Sequence, residues 1–171
     1  MGIFKIDVDQ MCWIGDSQDD PTDLCLHGHV TVQIGQNHLE AIGTVSATAL
    51  YLLKTLSQDK YMSEFDIQMV PCCGHSLFAD QTLTNVTISG CPYGLDWTTL
   101  HHGTMIHLLM PDTTETIVPF ADYRDEVFRF ADKVERFYLA CAPKILPQNE
   151  WDRNGYIAFW NEWHRRRKIT C

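Results

Sequence analysis

The chain has 171 residues with 45% hydrophobic and 20% charged side chains, the composition of one folded unit with a core of its own and not of a disordered segment. No run of about 18 apolar residues exists to span a bilayer, and the N-terminus carries no apolar signal region, so a cytoplasmic location is expected. The formal net charge is −9, with −8 falling on residues 1–85; without the run Arg165-Arg166-Arg167-Lys168 the rest would stand at −13. Such a field repels nucleic acid and speeds encounter with a basic protein.

In chain order, Phe4–Val8 alternates apolar and polar residues, as a half-buried strand does. Residues 15–23 form a polar loop that Pro21 keeps irregular, and it gathers Asp16, Asp19, Asp20 and Asp23. His29–Ile34 alternates again, ending at Gly35-Gln36-Asn37. From Thr44 to Ser57 the spacing of Val45, Ala49, Leu52, Leu53 and Leu56 predicts a helix, with Thr44 or Ser46 as its cap. Strands are expected at Ile67–Val70, stopping at Pro71, and at Asn85–Ser89.

Leu95–Met110 reads as a hairpin turning at His102-Gly103. Pairing Thr99 with Ile106 and Trp97 with Leu108 places Leu95, Trp97, Ile106, Leu108 and Met110 on one face. Thr116–Val118 adds a third strand. After Pro119 the period becomes helical, with Asp122 as cap and Val127, Ala131, Val134, Tyr138 and Cys141 in a stripe. Asp125 precedes Arg129, and Asp132 precedes Arg136, at the four-residue spacing of helical ion pairs. Pro143 ends this helix, and Asp152–Arg167 forms the last. Its aromatic set Trp151, Tyr156, Phe159, Trp160 and Trp163 reads first as core, with Trp151 or Trp163 as an exposed partner anchor the alternative that its excess over one face leaves open, and its basic end reads as a solvated terminus. The whole is α+β: a mostly antiparallel meander packed on two to three helices in a single domain over residues 1–171.

Two sets of residues suggest chemistry. Cys72, Cys73 and His75, with Cys91, His101 and His102, have donor types that zinc prefers. A second close pair at zinc spacing is missing, and adjacent histidines on a strand point to opposite faces. Cys73 with His101, His107 or His164 could serve a small Cys/His enzyme, but its surroundings are acidic, which disfavours a thiolate. No phosphate loop, dinucleotide turn or nucleophile elbow is present. Neither a metal nor any other cofactor is therefore expected. The other set is the carboxylate loop Asp16, Asp19, Asp20 and Asp23, a surface suited to a basic protein partner.

The segments Asp23–Val30, Pro71–His75 and Tyr156–Trp163 resemble small bacterial proteins to which no catalytic chemistry is assigned. In size, acidity and lack of a catalytic motif the chain is also similar to the immunity proteins of contact-dependent growth inhibition and related toxin systems. That resemblance implies a non-enzymatic cytoplasmic protein that binds and neutralises a cognate toxin, often a nuclease. The alternative is the small enzyme or zinc protein centred on Cys72, Cys73, His75 and His101.

Overall fold

The computed structural model describes residues 2–15, 19–62, 68–73, 75–90 and 92–168. Strands β1 (Phe4–Cys12), β2 (His27–Ile34) and β3 (Asn37–Thr44) form an antiparallel sheet in that order, followed by helix α1 (Val45–Lys54). Two short antiparallel pairs come next: β4 (Val70–Pro71) with β7 (Gly94–Leu95), and β5 (His75–Ala79) with β6 (Val86–Gly90). A second meander joins β8 (Thr98–His102), β9 (Met105–Leu109) and β10 (Glu115–Pro119), and helices α2 (Phe120–Ala140) and α3 (Glu150–Arg166) complete the chain. The fold is α+β with antiparallel sheets packed on three helices.

The N-terminal segment links the two meanders. Gly2 N–H donates to Ile117 O at 3.0 Å on β10, while Ile3 O accepts from Gly35 N–H at 2.8 Å in the β2–β3 turn. Phe4, entering β1, then packs on Tyr123 of α2 and Trp97 ahead of β8. Alternation decides which side of β1 and β2 is buried: Phe4, Ile6, Val8, Val30, Val32 and Ile34 all point into the core. Helix α1 is apolar on nearly every side and sits against α2, α3, β2 and β4, as a helix without a polar face must.

Several sequence expectations change on contact with the tertiary structure. The second hairpin turns at Gly103-Thr104, so Thr99 pairs with Leu108 and His101 with Ile106. Gly103 has φ +62°, the left-handed conformation that glycine adopts without strain at the first position of a tight turn. A shift of two preserves the faces, and Trp97, Ile106, Leu108 and Met110 are buried together. Leu95 leaves that hairpin and pairs with Val70. Of the strand expected over 67–70, Val70 is extended and Pro71 continues it, while Ile67 lies outside the described residues. β3 and β5 appear in segments without an expected strand.

The caps and ion pairs also differ. Thr44 occupies the α1 N-cap without a side-chain cap bond; its hydroxyl turns instead to Pro71 O at 3.5 Å. Pro119 stands at the α2 N-cap, with Asp122 in the first turn, and Asn149 caps α3 by accepting from Trp151 N–H. Arg129 pairs with Glu126 one turn back on the same helix and with Asp7 of β1, and Asp132 pairs with Arg167 at the end of α3, so neither makes the four-residue pair. Cys141 ends the α2 stripe as a half-buried C-cap. The basic end of α3 is packed rather than simply solvated. Arg166 is buried against Glu162, Arg167 lies over the Phe128 ring, and Arg165 reaches Asn85 Oδ1.

Candidate functional site

The acidic loop is held by Trp13 and the connection after α2. Trp13 is buried between Phe137 and Tyr138, and the Lys144 ammonium stands 3.1 Å above its ring centre. Tyr138 donates its hydroxyl proton to Leu24 O at 2.9 Å, and Ile145 N–H reaches Pro21 O at 2.8 Å. Lys144 Nζ donates to Asp20 O at 2.6 Å. These bonds lay residues 19–25 along the 141–149 connection, although some 120 positions separate them.

Of the four carboxylates singled out in the sequence, Asp16 lies outside the described residues. The other three brace the loop. Asp19 accepts from Ala142 N–H at 2.7 Å, and Asp20 accepts from both the amide and the hydroxyl of Thr22. Asp23 uses one oxygen for Ile14 N–H and the other for Cys25 N–H. The Thr22 bonds hold the Asp20 carboxyl below its usual range. Asp19 remains exposed, and Asp20 and Asp23 partly so. Each is both a strut and a surface charge.

Helix α3 adds a second group of charges to this side of the molecule. Glu150 and Asp152 stand exposed in its first turn, where the helix dipole favours acids. A cleft of about 280 Å³ unites the parts, lined by Thr22, Asp23, Leu24 and Cys25 from the loop, Ser76 and Leu77 from β5, and Pro147 and Asp152. Residues 19–25 and 141–153 hold five carboxylates and two cations. Both cations are engaged: Lys144 as above, and Arg153 through Gln148 O at 3.1 Å.

The same side exposes aromatic surface. Trp151 is 60% exposed and Phe78 38%, and their rings meet edge to face with centroids 5.6 Å apart. Of the two tryptophans that the last helix leaves as anchors, Trp163 is fully buried and Trp151 is at the surface. Phe78 carried no recognisable signal, because β5 is a five-residue strand whose apolar residues fall on both faces.

The cysteine and histidine candidates take separate partners. Cys72 lies in the turn after β4, its amide bonded to Tyr93 O, and Cys73 is exposed. His75 begins β5 opposite Gly90, and Cys91 lies outside the described residues. His101 donates from Nε2 to Thr55 O at 2.8 Å and packs on Phe120, whereas His102 lies against His107, 4.3 Å between ring centres. Elsewhere His29 sits between Asp9 and Glu40. Among the described residues, no three His, Cys, Asp or Glu side chains converge to hold a metal. Burial, with Asp23 beside it, pushes the Cys25 thiol up to about 12. A thiol raised in this way favours its neutral form. No described helix is long and apolar enough to cross a membrane.

Comparison with protein-family models, with curated proteins and with solved structures finds no match for this chain.

Proposed function

We propose that this chain is a non-enzymatic, immunity-type binding protein that neutralises a cognate basic toxin in the cytoplasm through an acidic face. The observation that carries the reading is the loop with Asp19, Asp20 and Asp23 lying along the 141–149 connection that leads into α3, so that Asp23 shares a cleft with Asp152 while Glu150 stands exposed in the same first turn. Complementary charge of this kind raises association rates and selects for a basic partner. Asp16, the fourth carboxylate of the sequence cluster, lies outside the described residues.

Neutralisation tests the reading directly. The protein encoded beside this gene is expressed alone and together with this chain, and growth is followed. Relief of growth arrest is expected, together with an isolated complex whose association slows as salt rises. The triple variant Asp19→Asn, Glu150→Gln and Asp152→Asn removes charge while leaving an oxygen acceptor at each position. It is expected to slow association and flatten its salt dependence. Growth arrest that co-expression leaves untouched would overturn the proposal.

A further inference from the structure

We propose that the exposed Trp151–Phe78 pair, with the acidic cleft beside it, receives an arginine side chain from a basic protein segment. This deepens the reading above and rests on it for the identity of the partner. The site itself is built on rigid elements. Trp151 belongs to the first turn of α3 and Phe78 to β5, and the two elements lock together at Gly155, where the Leu77 carbonyl comes too close to admit a Cβ. The edge-to-face contact fixes the Trp151 ring against Phe78 while more than half of the tryptophan stays open to solvent.

A tryptophan face attracts a guanidinium through the ring quadrupole, and the planar group also stacks on it. The next residue along α3, Asp152, lines the cleft with Asp23 across from it, and Glu150 precedes the ring. Glu150 and Asp152 flank Trp151 in the first turn of α3, so a guanidinium lying on the ring has carboxylates on adjacent residues for its N–H donors, and a planar fork that stacks and pairs at once favours arginine over lysine. Lys144 is drawn onto Trp13 and the Asp20 carbonyl, Arg153 onto the Gln148 carbonyl, and Lys54 and Arg166, which line a cleft with Phe78, are paired with Glu162. An acidic segment would meet the charges of Glu150 and Asp152 on either side of Trp151 without compensation. The occupant is a basic segment.

The test uses the full chain and an oligoarginine peptide as probe, with oligolysine of equal length for comparison. Binding is followed through the tryptophan indole N–H resonances, the Trp151 signal being assigned with Trp151→Phe. The Trp151 resonance is expected to move on titration, and oligoarginine to bind more tightly than oligolysine. Trp151→Ala should weaken oligoarginine binding about five- to tenfold. Leu139→Ala, which trims an exposed apolar side chain of α2, should leave it unchanged. Asp152→Asn should lower affinity and its salt dependence without altering the fold. An unmoved Trp151 resonance, or equal affinity of Trp151→Ala and the unaltered chain, overturns the inference. The neutralisation assay separates the two proposals. Protection that survives Trp151→Ala removes this anchor and leaves the toxin reading intact; a Trp151-dependent arginine site without any protection does the reverse.

Discussion

The Glu126 carboxylate of α2 accepts the Ile6 N–H of β1 at 2.9 Å, joining residues 120 positions apart. β1 is the outer strand of its sheet, and Ile6 turns its backbone groups away from β2. Arg129, one turn further along α2, donates to Ile6 O and holds Glu126 at 2.7 Å. An acid and a base on one helix thus satisfy both polar groups of an edge residue that would otherwise offer a pairing template to another chain. At the edge of β6 an acid and a base from two different helices do the same. There Glu162 accepts from Val86 N–H at 2.8 Å, and Lys54 of α1 donates to Val86 O at 2.6 Å.

Removing Glu126 is expected to expose the cost of an orphaned edge amide. Glu126→Ala should lower stability by about 1–3 kcal/mol, the penalty of leaving a buried N–H without its acceptor. A denaturant titration measures it, and an unchanged midpoint would show that the edge amide finds water instead.

Acid should loosen the same clamp. Burial works to raise the Glu126 pKa, but the Arg129 hydrogen bonds, the Ile6 amide and the nearby cations outweigh it and hold the carboxyl below its ordinary value. Folded Glu126 therefore binds fewer protons than unfolded Glu126. Its contribution is present above the unfolded pKa of about 4.3 and is lost as pH falls through the lower folded value. Stability measured against pH should fall more gently on the acid side for Glu126→Gln than for the unaltered chain. Identical acid limbs would contradict this.

Glu162 is the more exacting of the two acids, because it is buried with Arg166 beside it at 2.7 Å and Lys54 at 3.3 Å. Glu162→Ala strands the buried Arg166 guanidinium and the Val86 amide at once. Breaking a buried ion pair from one side is expected to cost about 3–5 kcal/mol, read as a lowered denaturation midpoint. A loss below about 1 kcal/mol would mean that Arg166 swings out to water.

Gly155→Ala tests how α3 seats on β5. The added Cβ would press on the backbone carbonyl and Cβ of Leu77, neither of which can rotate aside. A loss of about 1–3 kcal/mol is expected even though alanine favours helix, and a gain in stability would show that α3 can slide.

Thiol reactivity should follow burial. With its pKa pushed up to about 12 by burial, Cys25 disfavours the reactive thiolate at pH 8. Iodoacetamide on the folded chain, mapped by mass spectrometry, is expected to label exposed Cys12 and Cys73 and spare Cys25. Labelling of Cys25 as fast as Cys73 would place it at the surface.

Local periodicity in the sequence determined the class of fold and most of the buried faces. Phe4, Ile6 and Val8, or Val30, Val32 and Ile34, declare their inward side because a strand repeats every two residues. For the same reason the second hairpin keeps Ile106 and Leu108 inside although its turn lies one residue later than expected, the register moving by two. β3 stayed hidden because its inward positions, Leu39, Ala41 and Gly43, shrink in size while outward Ile42 is apolar and exposed. Partnerships between distant residues left no local trace. Glu126 and Glu162 look in sequence like surface acids with basic neighbours at helical spacing; only packing against β1 and β6 buries them and gives them backbone amides to hold. Likewise the clustering of Asp19, Asp20 and Asp23 is plain in the sequence, but their bracing of the loop and their approach to Asp152 depend on the loop lying along the 141–149 connection. The aromatic excess of the last helix narrows an exposed anchor to Trp151 or Trp163. The tertiary structure selects Trp151, because Trp163 turns into the core beside Phe159 while Trp151, at the start of the helix, meets only the rim of β5.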